Sequence, residues 1–142
     1  MRRPAIKRHR RYGHRVSFVR RVFVTLDSAE PQPLAEFWAA MLGGELVFAT
    51  AQAVGVRAEH VWLSAIRVDG YRPPTWPDDA VPKQIHLDLD VEDLGAAVAA
   101  AERLGAVAAH FQPAPEARRI MLDPAGHPFC LTTGVPKIEA GL

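Results

Sequence analysis

Apolar and polar residues alternate in two stretches of the chain, residues 22–27 and residues 84–91. The first stretch reads VFVTLD and the second reads QIHLDLDV. A period of two is typical of a β-strand with one covered face, because successive side chains point to opposite sides of a strand. We therefore expect the apolar side chains of both strands, Ile85 among them, to face a helix. The opposite side of each strand is then free to line a concave surface.

A helical period follows each alternating stretch. Apolar residues recur there at the spacing of one helix face, at Leu34, Phe37, Trp38, Met41 and Leu42 in the first segment and at Leu94, Ala97, Val98, Ala101 and Leu104 in the second. Glycines at 43, 44 and 105 predict where the helices end. Ser28 and Asp90 are in position to cap their first turns. We predict that Phe37 and Trp38 belong to the core.

Short apolar stretches after each helix predict three more strands in each half. They cover residues 46–50, 54–57 and 61–68 in the first half, and 107–112, 118–122 and 129–133 in the second. Strand, helix, glycine and three strands thus occur twice at a period of about 60 residues, which indicates an internal repeat. The predicted fold class is α+β, built from two βαβββ modules.

A proline-rich segment separates the two predicted modules. Residues 70–82 contain four prolines, which exclude a regular helix or strand there. The predicted organisation is a basic extension at 1–21, a domain at 22–134 with module 1 at 22–69, the linker at 70–82 and module 2 at 83–134, and a tail at 135–142. Tyr71 and Trp76 lie in the linker. An aromatic side chain there either anchors the linker to the folded domain or forms a lid over the concave surface.

Charge is distributed unevenly along the chain. Residues 1–21 carry nine Lys/Arg and no acid, and the remainder holds eight basic residues against all sixteen acids. A basic N-terminal segment is typical of proteins that bind nucleic acid. The remainder of this chain is acidic and does not attract phosphates, so we do not expect a nucleic-acid partner. A single cysteine excludes an internal disulfide. No apolar run approaches the ~20 residues that span a bilayer, and we expect a cytoplasmic protein.

Four ordered motifs resemble a known superfamily. They read VTLDSAEP at 24–31, LAEFW at 34–38, QIHLDLDVEDL at 84–94 and LDPAGHPFCL at 122–131. The set is similar to the vicinal-oxygen-chelate superfamily of glyoxalases, bleomycin-resistance proteins and extradiol dioxygenases, and more narrowly to its glyoxalase-like domain group. The resemblance implies that the two βαβββ modules form an eight-stranded open cup, and that the protein is a homodimer.

The resemblance also implies a metal site, which looks incomplete in this chain. Metal enzymes of the superfamily take ligands from the first and last strands of both modules. His86 occupies the second-module histidine position and Cys130 the place of a final-strand glutamate, whereas Phe23 occupies the first-module position and cannot bind a metal. No glutamate lies in register at 61–68, although Glu59 and His60 precede that strand. We therefore expect no cofactor; if a metal is bound, His86 and Cys130 favour Zn²⁺.

His86 and Asp88 are the strongest candidates for chemistry. Both lie on the polar side of one predicted strand, about 7 Å apart along it. His86 is then a general acid or base oriented by Asp88, or the two form a pair that braces the sheet. Two further features stay open: a thiol nucleophile formed by Cys130 with His86, and Arg118 or Arg119 reaching the cup. His127, in a turn, is expected to be exposed.

Two functions fit these residues. The first is a small-molecule-binding protein of the glyoxalase-like group that holds an apolar or aromatic ligand in the cup, for sequestration or resistance. Its predicted ligand-binding residues are Phe23, Thr25, Trp62, Gln84, His86, Asp88 and Cys130. The alternative is an enzyme, a lyase, isomerase or dioxygenase-superfamily member, in which His86 moves a proton with or without a metal.

Overall fold

The computed structural model describes residues 18–134. Most of the predicted basic extension and all of the predicted tail lie outside these residues. The elements, in chain order, are β1 (Phe23–Ser28), α1 (Pro31–Leu42), β2 (Glu45–Ala49), β3 (Ala53–Arg57), β4 (Trp62–Arg67), β5 (Leu87–Asp90), α2 (Leu94–Leu104), β6 (Val107–Ala108), β7 (Arg118–Leu122) and β8 (Pro128–Thr132). Within the described range, no helix is long and apolar enough to cross a membrane.

The two halves of the chain have the same topology. The strand order is β1-β4-β3-β2 in one four-stranded sheet and β5-β8-β7-β6 in the other. The first and last strands of each module run parallel, and the other neighbours run antiparallel. The predicted pair of βαβββ modules is therefore confirmed, and the two mixed sheets form an open α+β arrangement that does not close.

One apolar core joins the two modules. Trp38 and Phe37 of α1 are buried, and both rings contact Phe129 of β8, with centroids 5.1 and 6.1 Å away. This confirms their predicted place in the core. Leu26 is buried, as its alternation predicts, but Ile85 is 65% exposed. The prediction for Ile85 was wrong because β5 begins only at Leu87 and the preceding residues are not paired in the sheet.

Both predicted helix caps were wrong. The Ser28 hydroxyl donates to the Ile66 carbonyl in the neighbouring strand instead of capping α1, which begins after Glu30 with a proline in its first turn. The cap of α2 is Asp93, whose carboxylate accepts a hydrogen bond of 2.8 Å from the backbone N–H of Ala96. Asp90 is still part of β5, three residues too early to reach these groups.

The strand predicted at residues 107–112 ends after two residues, at Ala108. The Gln112 side chain takes over the pairing with β7: its amide group donates to the carbonyls of Ala109 and Ile120 and accepts from the Ile120 N–H. The local hydrogen bonds are therefore satisfied without a longer strand. Proline follows directly at 113 and again at 115, and a strand cannot continue easily through either.

Candidate functional site

A cavity of about 350 Å³ lies where the two modules and the linker meet. Its walls come from β1, from the linker, from the segment leading into β5 and from the start of β8. The apolar lining residues are Leu26, Trp38, Pro74, Val81, Pro82, Ile85, Leu87, Pro128 and Phe129, and the polar ones are Thr25, Asp27, Tyr71, Arg72, Gln84, His86 and His127. A mostly apolar wall with a few polar groups is the usual form of a small-molecule site.

Tyr71 fixes the linker to the turn between β7 and β8. Its hydroxyl donates to the Ala125 carbonyl at 2.6 Å and lies 3.3 Å from Nε2 of His127. The same His127 nitrogen is 2.7 Å from the Asp27 carbonyl, so it carries the proton and donates to β1. Burial, with smaller contributions from Asp123 and Asp27, raises the pKa of Tyr71 to about 12. His127 is half-buried, and its predicted exposure was therefore wrong.

The turn also carries a buried carboxylate. Asp123 accepts from the indole N–H of Trp38 at 3.0 Å and from the backbone N–H groups of Ala125 and His127. Burial raises the pKa of Asp123, and the nearby His127 and these hydrogen bonds oppose the shift. The carboxylate thereby connects α1 of the first module to the cavity wall formed by the second.

His86, Asp88 and Cys130 converge on the outer face of the second sheet, the face opposite α2. Nε2 of His86 lies 3.4 Å from Oδ1 of Asp88, and Asp88 is the register partner of Cys130. One ligand atom from each residue lies within 4.8 Å of the other two. Burial raises the pKa of the Cys130 thiol; Asp88 acts in the same direction, and Arg118 and Lys83 oppose it.

Trp76 of the linker lies against the part of the second sheet that contains Cys130. Its ring packs on the small cluster of Ala109, Ile120 and Cys130, and its edge meets Phe111 at a centroid distance of 5.6 Å. The Lys83 ammonium group lies 4.7 Å from the ring centroid. Since the ring rests on the sheet beside the three converging side chains, the linker contributes to their surroundings as well as to the cavity.

The outer face of the first sheet carries different chemistry. Phe23 and Trp62 meet edge to face with centroids 5.2 Å apart, and the Arg21 guanidinium lies 4.0 Å from the Trp62 ring centroid. Two residues further along the same strands, the hydroxyls of Thr25 and Ser64 are 2.7 Å apart. This face presents aromatic rings and hydroxyls where the second sheet presents imidazole, carboxylate and thiol.

Comparison with protein-family models identifies a glyoxalase-like domain over residues 23–132. The chain belongs to the glyoxalase-like domain family. Together with its structural neighbours, the match places this glyoxalase-like protein in the vicinal-oxygen-chelate superfamily. A comparison with curated protein sequences finds no significant match.

Solved structures share the fold at low sequence identity. The fosfomycin resistance protein FosX from Mesorhizobium loti is 12% identical with a TM-score of 0.61, over 81% of this chain and 91% of that chain. The bleomycin-binding protein from Streptomyces verticillus, complexed with copper(II)-bleomycin, is 21% identical with a TM-score of 0.55, over 85% and 100%. A glyoxalase-related enzyme from Fulvimarina pelagi is 17% identical with a TM-score of 0.57, over 80% and 88%. These likenesses show the fold of the glyoxalase-like protein.

The residues of this glyoxalase-like protein do not fit a metal site shared by both modules. Phe23 and Trp62 occupy the first pair of opposite positions in β1 and β4, and their rings pack on each other. β4 contains no acidic residue, while Glu59 and His60 precede it and are highly exposed. The first-module positions at Phe23 and Trp62 are therefore occupied by rings that cannot bind a metal.

The predicted ligand-binding residues of the glyoxalase-like protein divide into three groups. Thr25, Gln84 and His86 line the cavity. Asp88 and Cys130 lie beside His86 on the second sheet, and Phe23 and Trp62 pack together on the first. Sequence reasoning missed the linker residues Arg72, Pro74, Val81 and Pro82 as cavity walls. The proline-rich composition that identified the linker gives no information about what the linker contacts.

Proposed function

We propose that this protein binds a small apolar or aromatic molecule in the cavity between its modules, with His86 and Gln84 as polar anchors. The observation that carries the proposal is the cavity itself, about 350 Å³ in volume and bounded by both modules and the linker. Ligand pockets in proteins usually measure about 300–1,000 Å³ and combine apolar walls with a few orienting polar groups.

The fixed parts of the wall support binding without large rearrangement. Trp38 and Phe129 belong to the core, and Tyr71 holds the linker in place through its hydrogen bond to Ala125. A wall that is already ordered loses little conformational freedom when a ligand enters. His86 faces this wall from the segment just before β5, where its imidazole can donate to or accept from a ligand.

Sequestration is the form of binding that the structural neighbours favour. One neighbour is a bleomycin-binding protein and another a fosfomycin resistance protein. A sequestering protein needs a shaped cavity and no catalytic group, which agrees with the apolar walls described here. The homodimer and the cytoplasmic location expected from the sequence remain predictions. Exposed apolar side chains along β2, Leu46, Val47 and Phe48, support the homodimer.

The second candidate is a lyase or isomerase in which His86 moves a proton. One observation favours it: the His86 imidazole lies at the cavity wall and its Nε2 is 3.4 Å from the Asp88 carboxylate. A carboxylate at this distance can orient an imidazole toward a bound molecule. The His86→Gln variant separates the candidates, because loss of a polar anchor weakens ligand binding in a binding protein, whereas an enzyme still binds its ligand and loses turnover.

A thermal-shift screen with aromatic, thiol-conjugated and antibiotic compounds tests the cavity. A ligand at 100 times its Kd adds about 2.7 kcal/mol to the apparent stability. Ile85→Glu places a charge in the cavity wall, and Val107→Glu is the matched control on β6, since the two residues are 65% and 62% exposed. We expect hits that stabilise the wild type and the control but not Ile85→Glu. Equal stabilisation of both variants would show that the ligand binds elsewhere.

A further inference from the structure

Two charged side chains in the cavity lining have no partner among residues 18–134. Asp27 of β1 and Arg72 of the linker both line the cavity, and neither side chain makes an ion pair or a hydrogen bond within this range. The two histidines of the lining do have partners, since His86 lies beside Asp88 and His127 bonds to the Asp27 carbonyl. The lining therefore offers a ligand one positive and one negative charge.

The backbone on both sides of Arg72 is fixed to the second module. The Tyr71 hydroxyl donates to the Ala125 carbonyl at 2.6 Å. Pro73 lies directly against Gly126, where an added Cβ would come within 2.8 Å of the proline Cβ. Arg72 is thus held between two anchored residues, and the linker needs no rearrangement to present it. A group that is already positioned loses less conformational freedom when it binds a ligand.

Asp27 is fixed by the first sheet. It is paired with Ile66 across β1 and β4, and its carbonyl accepts a hydrogen bond of 2.7 Å from His127. Its negative charge contributes to the raised pKa of Tyr71, although burial is the larger cause, so the carboxylate lies near the linker side of the cavity. Asp27 and Arg72 are both exposed, and because they do not pair with each other a ligand group can approach each of them.

We propose that the cavity takes a small zwitterion with an apolar or aromatic body, of the chemical class of the free aromatic amino acids. The ligand carboxylate binds Arg72, the ammonium group binds Asp27, and the body packs on the apolar wall. This inference rests on the proposed ligand-binding function and names its ligand class. An arginine can hold a carboxylate through two parallel hydrogen bonds. A ligand with only one charge would partly desolvate the other side chain without giving it a partner, which costs free energy.

The size and the walls of the cavity suit this class of ligand. At about 350 Å³, the cavity lies near the lower end of the range of about 300–1,000 Å³ that is usual for ligand pockets, which favours a compact molecule. Leu26, Trp38 and Phe129 supply apolar wall, and two of the three are aromatic. Aromatic side chains pair favourably with a ligand ring in edge-to-face or offset-stacked arrangements.

Isothermal titration calorimetry of the full chain with L-phenylalanine, L-tryptophan and two truncated analogues tests the ligand class. Phenylpropionate lacks the ammonium group of phenylalanine, and phenethylamine lacks its carboxylate. We expect both amino acids to bind, and phenylalanine to bind at least about tenfold more tightly than either analogue, because hydrogen bonds between charged groups are the strong ones.

Two variants assign the charges to their partners. Arg72→Gln should weaken the binding of phenylalanine and phenylpropionate by at least about tenfold and leave phenethylamine unchanged. Asp27→Asn should weaken phenylalanine and phenethylamine and leave phenylpropionate unchanged. A purely structural role of either residue would change all three affinities alike. Arg103→Gln and Asp69→Asn are the matched controls at exposed charges outside the cavity, and both should bind every ligand as the wild type does.

Three results would overturn the inference: analogues that bind the wild type as tightly as phenylalanine, variants that weaken all three ligands equally, or no binding of either amino acid. The proposed function is judged separately by the thermal-shift screen. It stands if any compound stabilises the wild type but not Ile85→Glu, in which case only the ligand class would be wrong. If no compound does so, ligand binding in this cavity is wrong as well.

Discussion

Asp88 and Cys130 stand opposite each other across the parallel strands β5 and β8, in the same register that pairs Thr25 with Ser64 across β1 and β4. In the first module the two side chains are hydroxyls in a 2.7 Å hydrogen bond. In the second module they are a carboxylate and a thiol, and the imidazole of His86 lies close to both. Because these side chains lie on the outer faces of the sheets, they differ between modules without disturbing the core.

Truncation of Trp76 should expose Cys130. The indole ring packs against the small cluster that contains this cysteine, which is 8% exposed. In metal-free protein at constant pH we expect Trp76→Ala to be alkylated by iodoacetamide severalfold faster than the wild type, since access limits the reaction of a covered thiol. Trp76→Phe should lie between the two. Trp62→Ala, in the other module, serves as the control and should leave the alkylation rate unchanged.

Tyr71 should make stability fall at high pH. Its pKa is raised to about 12 in the folded protein, above the value of about 10 in an unfolded chain. The unfolded chain therefore ionises first, and the contribution of Tyr71 is fully present below about pH 10 and lost as the pH rises to about 12. Urea unfolding should show Tyr71→Phe less stable at neutral pH by about 1 kcal/mol, with a shallower alkaline decline. Parallel declines in both proteins would contradict this assignment.

Replacing Asp123 by asparagine should destabilise the protein. One carboxylate oxygen accepts from the Trp38 indole and the other from two backbone N–H groups. An asparagine amide offers only one acceptor oxygen, so at least one of these N–H donors would face the amide NH₂ group instead of an acceptor. The free energy of unfolding should therefore fall by about 1–3 kcal/mol. Denaturant unfolding measures it, with Asp69→Asn as the control at a highly exposed carboxylate. If the two variants were equally stable, the buried carboxylate would have no special role.

Two glycines should differ in their tolerance of alanine. A Cβ at Gly44 would lie 2.5 Å from the backbone carbonyl oxygen of Arg57, whereas one at Gly55 would meet the Phe48 ring at 2.2 Å. The Phe48 side chain is 43% exposed and can rotate away, but the backbone of β3 cannot. We expect Gly44→Ala to lose about 1–3 kcal/mol of stability and Gly55→Ala to lose less. The reverse order in thermal unfolding would show that Phe48 is held firmly.

Alternation and helical period were sufficient to predict the modules. The period-two pattern assigned Leu26 to the core and Thr25 to the opposite side, and the repeat indicated that the halves share one topology. The pattern failed at Ile85 because alternation continues along the chain before strand pairing begins. It failed again before Gln112, where a side-chain amide replaces the backbone pairing that a longer strand would make.

The candidate site was only partly predictable, because it depends on contacts between distant segments. The sequence identified His86, Asp88 and Cys130 singly, but only the register of β5 and β8 places Asp88 beside Cys130 as a third potential ligand. The packing of Trp76 against the cluster that contains Cys130 depends on where the linker folds back. Local patterns do not determine either relationship, since each is set by packing between residues far apart in the chain.

The shared core has a consequence for the duplicated halves themselves. Trp38 comes from the first half and Phe129 and Asp123 from the second, and the indole both packs on the phenyl ring and donates to the carboxylate. Each half therefore depends on the other to bury these large side chains. The domain should melt as one cooperative unit, and halves expressed separately should fold only when mixed.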